Sequence, residues 1–153
     1  MKTLAMTLVA FALAGPATPA MAQLTPYEDY TVSDQISTIT TVKVDANMMD
    51  YYLEGIRQTW VAQNEIAVNL GYMDSYDIYV SELPESGQFN LLLVANFANS
   101  AALEPNKARY DAFMREWGEA NQAASRETSS TVYPNIREIT GEYRVRKLTM
   151  KPE

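Results

Sequence analysis

Regular alternation of the side chains begins with a run of β-branched residues at 37–45. Val42 and Val44 fall on one side of an extended chain, and Ile39 falls on the other. Alternation with a period of two, in a segment rich in Thr and Val, is typical of a strand. The segment at 142–150 predicts a final strand of the same kind.

Two segments between these strands predict an antiparallel hairpin. Residues 75–83 alternate apolar and polar side chains, whereas residues 89–97 are apolar on both sides at their centre, which is typical of a strand covered on both faces. The connecting residues 84–87 (Pro-Glu-Ser-Gly) form a turn signal, because proline fixes φ and glycine accepts a positive φ.

Two other segments carry apolar residues at helical spacing. In residues 48–70 these positions recur at intervals of three, four and seven, and Gly71 supplies a stop. Residues 107–126 repeat the pattern with Tyr110 and Trp117 among the apolar positions. Both segments predict amphipathic helices that bury one face against a flat surface.

The predicted order is β-α-β-β-α-β, the ferredoxin-like arrangement of the α+β class. Right-handed crossovers place both helices on one face of a four-stranded antiparallel sheet. The opposite face then carries a set of apolar side chains: Ile39, Tyr79, Leu92, Val94 and Leu148. An exposed apolar patch of this extent marks an interface, so we expect two copies to pack sheet against sheet as a homodimer. The alternative is a register slip of one residue, which would exchange the two faces of a strand.

The first 22 residues have the pattern of a secretory signal peptide. Lys2 gives a positive start, residues 4–14 are an uncharged apolar run, and Ala-Met-Ala at 20–22 is the small-x-small pattern that precedes cleavage. This run is too short for a membrane helix, which needs about 20 apolar residues. We therefore expect a periplasmic or secreted protein, without a membrane partner, that consists of a polar arm at 23–36 and one domain at 37–150.

Composition removes several classes of chemistry. The 153 residues include no His and no Cys, which excludes Ser-His-Asp and Cys-His catalysis, disulfides, iron–sulfur clusters and nearly every zinc, copper or non-haem iron site. A formal charge of −7 argues against nucleic acid as a partner. We expect neither a metal nor a cofactor.

Aromatic residues are the most suggestive candidates for a ligand site. The chain has ten Tyr and two Trp, and both Trp60 and Trp117 fall on the inward side of a predicted helix. Such rings form the wall of an apolar pocket or pack as core. Tyr52 and Tyr79 would supply hydroxyl groups to the same pocket, or would find backbone partners instead.

Two polar residues complete the predicted ligand-binding set. Asn96 would orient a ligand carbonyl or phenol, or would satisfy a loop. Arg144 would hold a carboxylate through two parallel hydrogen bonds, or would form an ion pair with Asp77 or Glu142 on the open face of the sheet. No residue is singled out as catalytic.

Several sequence features resemble those of the dimeric α/β-barrel superfamily. They are the strand TVKVD, Tyr51-Tyr52 and Trp60 in the first helix, the Ser75-Tyr76 pair after Gly71, and the closing REITGEYRVRKL. That superfamily includes proteins similar to antibiotic-biosynthesis monooxygenases and NIPSNAP-like proteins, and the similarity is greatest to small secreted bacterial members. The resemblance implies a cleft between sheet and helices that binds small, often aromatic molecules. Some members oxidise phenols without metal or flavin, while the haem-degrading branch uses a histidine that this chain lacks.

Two functions follow as expectations. The first is a non-enzymatic periplasmic dimer that binds a small apolar or aromatic ligand. The alternative is a cofactor-independent monooxygenase-like enzyme that acts on a phenolic or quinol-like substrate. An enclosed cavity of about 300 Å³ or more with at least two inward polar side chains is the structural observation that discriminates between them, and a collapsed, fully apolar space would exclude the enzyme.

Overall fold

The computed structural model describes residues 23–83 and 87–152. Its base is a four-stranded antiparallel sheet with the spatial order β3-β4-β2-β5, and a two-stranded sheet pairs β1 with β6. The strands are β1 (Tyr30–Val32), β2 (Ile36–Val44), β3 (Ser75–Val80), β4 (Leu91–Phe97), β5 (Arg137–Val145) and β6 (Leu148–Met150). The predicted signal peptide and the turn residues 84–86 lie outside the described residues.

The four-stranded sheet confirms the predicted ferredoxin-like α+β fold. Its central strands, β2 and β4, are the first and third of the four along the chain, and every neighbouring pair is antiparallel. The predicted hairpin is the β3–β4 pair, in which Ile78 lies opposite Leu93. The fold therefore follows from the period-two segments and their order.

Side chains alternate across the central strands as the sequence predicts. Val42, Val44, Leu91 and Leu93 are buried in one core cluster on the face that the helices cover. At the end of this face Asn90 substitutes for a strand partner, because its amide both accepts from the Val44 N–H and donates to the Val44 carbonyl, each at 2.8 Å. These bonds satisfy buried backbone groups where the β4 ladder has not yet begun.

The first predicted helix forms as one continuous helical segment with a change of winding. It consists of α1 (Met49–Ile56), a π-helical turn (Arg57–Val61) and α2 (Ala62–Asn69). Gly71, with φ of 69°, follows its end. A left-handed residue of this kind commonly terminates a helix, and glycine adopts it without steric cost.

The second predicted helix is interrupted, which corrects the single helix predicted over 107–126. It is divided into α3 (Lys107–Trp117) and α4 (Glu119–Glu127), and a second π-helical turn (Thr128–Val132) follows. Gly118 separates the two helices with φ of 76° and ψ of 158°. This conformation is incompatible with continuous helix and is readily reached by glycine alone.

The last predicted strand, at 142–150, is wrong in its boundaries and in its phase. The strand β5 begins at Arg137, and its register with β2 shifts so that Thr41 pairs with Gly141 while Val42 pairs with Ile139. Thr140 is the additional residue of a β-bulge, and its hydroxyl lies 2.9 Å from the Thr41 hydroxyl. A bulge changes which residues point to which face.

The observed boundaries and register of β5 correct the predicted positions of Arg144 and Leu148. Arg144 pairs with Thr38 and so belongs to the covered side, not to the open face. Leu148 lies in β6, in the separate two-stranded sheet. Arg146 lies between β5 and β6 and donates hydrogen bonds to the carbonyls of Ser33 and Asp34, at 3.0 and 2.8 Å.

Candidate functional site

A cavity of about 350 Å³ lies between the covered face of the sheet and the helices. Its volume is within the usual range of small-molecule sites. The sheet contributes Thr40, Val42, Leu93, Arg137, Ile139 and Glu142 to its lining. The bulge in β5 brings the last three of these residues onto one side, because Ile139 and Glu142 are separated by three positions rather than by an even number.

Both π-helical turns contribute to the same cavity. Thr59 and Trp60 come from the first turn and Ser129 from the second, while Tyr133 directly follows the second. The two helical segments are also connected beside the cavity, since the Gln63 amide in α2 donates to the Ser125 hydroxyl in α4 at 3.1 Å. π-Helical turns are rare and are frequent at functional sites, so their coincidence here singles out this cavity.

Two buried tyrosines form the inner wall. The rings of Tyr52 and Tyr133 meet edge to face, with centroids 5.2 Å apart. The Tyr133 hydroxyl lies 2.7 Å from the Thr59 hydroxyl, which also donates to the Gly55 carbonyl at 3.1 Å. Gly55 permits this approach, because a Cβ at that position would lie 3.1 Å from the Tyr133 ring.

Burial controls the ionisation of both hydroxyl groups. Removal from water raises the pKa of Tyr52 and of Tyr133 above the usual value, and the nearby Arg137 charge opposes this effect in both. Both tyrosines are therefore neutral hydrogen-bonding groups at physiological pH, not bases.

Arg137 is the cationic group of the cavity. Its guanidinium carbon lies 5.1 Å from the Tyr133 ring centroid and 5.8 Å from that of Tyr52. Its Nε is buried and has no hydrogen-bond partner. The ion pairs found within residues 23–83 and 87–152 are Arg57–Glu54 and Lys107–Asp111, so none of them neutralises Arg137.

Glu142 places a carboxylate at the other end of the lining. It is exposed and pairs with Thr40, whereas Arg137 pairs with Val44, four residues further along β2. Because a strand rises about 3.3 Å per residue, four residues along β2 separate the backbone positions of Arg137 and Glu142 by about 13 Å. The cavity is therefore electrostatically polarised, with a sheltered cation at one end and a solvated anion at the other.

The structure brings two of the six predicted ligand-binding residues to this cavity. Tyr52 and Trp60 both line it, and Trp60 is held edge to face against Tyr76 with a centroid distance of 5.4 Å. Trp117 is buried outside the lining and stacks on Phe113, with centroids 6.5 Å apart.

The other three predicted residues lie away from the cavity. Tyr79 is exposed on the opposite face of the sheet. Asn96 is on that face too, where its amide accepts from Ser37 at 2.6 Å and donates to Ser75 and Asp77. Arg144 is exposed near the end of β5 and is absent from the lining.

Arg137, Tyr133 and Thr59 are three of the lining residues that sequence reasoning missed. Arg137 lies before the predicted start of the last strand, although the β-branched residues Ile139 and Thr140 were a signal for an earlier start. Tyr133 lies in a polar stretch with no period, and nothing in the sequence indicated that a π-helical turn would direct it inward.

Metal and membrane sites receive no support from the described part of the chain. Residues 23–83 and 87–152 contain no group of three or more Asp or Glu side chains placed to hold a metal ion. Within the same ranges, none of the helices has the length and apolar character to span a bilayer.

Comparison with known proteins identifies similar folds and no family. No family model matches the chain, and no curated protein matches its sequence. A crystal structure of a Shewanella oneidensis protein is 13% identical, with a TM-score of 0.45, over 79% of this chain and 99% of that one. HapK from Hahella chejuensis is 14% identical, with a TM-score of 0.44, over 72% and 90%.

A third similar structure, from Bacteroides fragilis, is described as a dimeric protein of unknown function with a ferredoxin-like fold. It is 11% identical, with a TM-score of 0.41, over 79% of this chain and 100% of that one. The sequence identities and TM-scores of all three structures are too low to support any transfer of function or assembly from those proteins to this chain.

Proposed function

We propose that this protein is a periplasmic or secreted homodimer that binds a small aromatic ligand in the cavity between its sheet and its helices. The observation that carries the proposal is the cavity of about 350 Å³ with aromatic walls and a few inward polar groups. Small-molecule sites combine these features, because apolar walls supply affinity and polar groups fix the orientation of the ligand.

The composition of the lining distinguishes this cavity, which is partly open to solvent, from a gap in the core. Cavities that stay empty inside proteins are lined by apolar side chains. Here the lining includes a guanidinium group, hydroxyls and the Gln63 amide beside the rings of Tyr52 and Trp60. A bound molecule with a flat apolar body and polar ends would satisfy both parts of this lining.

Ligand binding fits the lining better than the oxygenase alternative does. Oxidation of a phenol without a cofactor requires a base beside the substrate to remove the phenolic proton. The raised pKa values of Tyr52 and Tyr133 keep both hydroxyls protonated, and the carboxylate in the lining, Glu142, is exposed to solvent. The lining therefore favours binding without chemistry.

The open face of the sheet supports the homodimer. Ile39 on β2 pairs with Val94 on β4 and with Tyr143 on β5, which places three apolar side chains in one row across the face. In the next row Leu92 lies beside Tyr79. A contiguous apolar surface on one face of a sheet is suited to contact with a second copy about a two-fold axis, which is the geometry of most homodimers.

Native mass spectrometry of protein purified from the periplasm tests the proposal in one measurement. We expect a dimer that carries a co-purified small molecule, and a polypeptide that begins at residue 23. A monomeric and ligand-free spectrum at micromolar concentration would contradict both the assembly and the binding function.

A matched pair of variants assigns the interface. Tyr143→Glu introduces a charge into the open face, where Tyr143 is 55% exposed, and should convert the dimer to a monomer. Tyr110→Glu places the same charge on α3, where Tyr110 is 61% exposed, and should leave the dimer intact. Equal dissociation of both variants, or of neither, would remove the open face from the interface.

A further inference from the structure

Arg137 presents a charge that no acidic side chain within residues 23–83 and 87–152 neutralises. A guanidinium group is ionised at every physiological pH, and its transfer from water is costly unless it is paired. The rings of Tyr52 and Tyr133 offset part of this cost, since a cation over an aromatic face is attracted to it. Neither ring, however, supplies the hydrogen-bond acceptor that the buried Nε lacks.

The carboxylate in the same lining is too far away to serve as this acceptor. Glu142 lies on the same strand at a backbone separation of about 13 Å, and no ion pair joins it to Arg137 among the described residues. An unneutralised guanidinium group in the lining of a cavity attracts an anion, and a bound anionic ligand would account for both the charge and the cavity.

We infer that the ligand of this cavity is an aromatic carboxylate whose carboxylate group is bound by Arg137. The inference rests on the proposed function, because it identifies the chemical class of the ligand in that same cavity. A carboxylate matches the planar fork of a guanidinium group, which forms two parallel hydrogen bonds with it. Rings of the ligand would lie along Tyr52 and Trp60, whose side chains form the aromatic wall.

The volume of the cavity sets the size of the ligand. An apolar cavity of about 150 Å³ accommodates benzene, so the cavity of about 350 Å³ has room for two fused rings with one substituent. Naphthoate is a probe of this size, and naphthylmethanol has the same rings with a neutral hydroxymethyl group in place of the carboxylate.

Isothermal titration calorimetry at neutral pH with 2-naphthoate and 2-naphthylmethanol tests the inference on the mature protein. We expect 2-naphthoate to bind at least about tenfold more tightly. Arg137→Gln should weaken 2-naphthoate binding by about 10- to 100-fold, the usual contribution of hydrogen bonds to a charged group, and should leave 2-naphthylmethanol binding unchanged.

Arg144→Gln is the matched control, because it removes the same functional group from the same side of the same strand outside the lining. It should change the binding of neither probe. Arg137→Lys retains the charge without the planar fork and should give intermediate binding of 2-naphthoate. This variant and the two probes on the unmodified protein decide the result even if Arg137→Gln does not fold.

The outcomes separate this inference from the proposed function. Equal binding of the two probes to the unmodified protein would overturn the carboxylate class and leave the aromatic site standing. Equal losses of 2-naphthoate binding in Arg137→Gln and Arg144→Gln would overturn the role of Arg137. Failure of both probes to bind would contradict the ligand site itself.

Discussion

On β4, Leu91 is completely buried beneath the helices, whereas its neighbour Leu92 lies on the face of the sheet that no described element covers. The same difference holds on β2, where Val42 is buried and Ile39 is half-buried. The covered face obtains its burial within one chain. The open face has apolar side chains of the same kind, and in the proposed dimer a second copy would bury them.

The largest expected effect compares the two leucines directly. Leu91→Ala should lower the free energy of unfolding by about 2–5 kcal/mol, because it leaves a cavity in the core cluster. Leu92→Ala should cost about 1 kcal/mol at low protein concentration and more at high concentration, where the proposed dimer would contribute. Urea unfolding at two protein concentrations provides the measurement. If Leu92→Ala costs the same unfolding free energy at both concentrations, the open face does not depend on a second copy for its burial.

Alkaline pH should lower the free energy of unfolding, because Tyr52 and Tyr133 are buried on the covered side of the sheet. The pKa values of Tyr52 and Tyr133 are raised in the folded state, so above pH 10 the unfolded chain loses these protons first. The stabilisation is complete below pH 10 and decreases as the pH rises, by at most about 1.4 kcal/mol per pH unit for each tyrosine.

Urea midpoints between pH 9 and pH 11 measure this decrease. In the double variant Tyr52→Phe/Tyr133→Phe the decrease should be shallower than in the unmodified protein, since the groups that titrate are gone. Parallel curves for the two proteins would show that these hydroxyls do not carry the pH dependence.

A smaller effect is expected on the open face at the bulge. In Gly141→Ala the new methyl group would approach within 2.7 Å of the Tyr143 hydroxyl and 2.8 Å of its ring, so the ring must move. We expect a loss of about 1 kcal/mol in unfolding free energy. The same substitution combined with Tyr143→Ala should cost less, because the obstructing ring is absent; a cost that does not change would mean that Tyr143 is not the obstacle.

The smallest effect is expected at the end of β5. Arg144 is exposed and has no ion pair among the described residues, so Arg144→Gln should change the unfolding free energy by less than about 0.5 kcal/mol. Thermal unfolding of the variant beside Arg137→Gln would compare two arginines of one strand. A large loss at Arg144 would indicate a contact that the isolated chain lacks.

Strand alternation predicted both faces of the central strands, because the burial of their apolar side chains follows a period of two. It failed on β5, where Thr140 interrupts the period and places Arg144 on the covered side. A bulge is determined by pairing with the neighbouring strand, here by Thr41, which lies about a hundred residues earlier in the chain. Local sequence carries little information about such a partner.

The cavity was predictable in its position and only partly in its residues. Tyr52 and Trp60 lie on the inward side of a helix with regular spacing, and the pattern identified them. Arg137 and Tyr133 reach the cavity through an irregular strand and a π-helical turn. Both irregularities depend on tertiary packing, and so the residues with the most distinctive chemistry were those least accessible to periodicity.

The small β1–β6 sheet has a mechanical consequence. Tyr30 pairs with Met150 at its outer end and Val32 with Leu148 at its inner end, so a force that separates residues 23 and 152 would act first on the outer pair. The two strands would then peel apart one pair at a time, at low force. Tension on the chain would be dissipated in this ribbon before the four-stranded sheet bears any load.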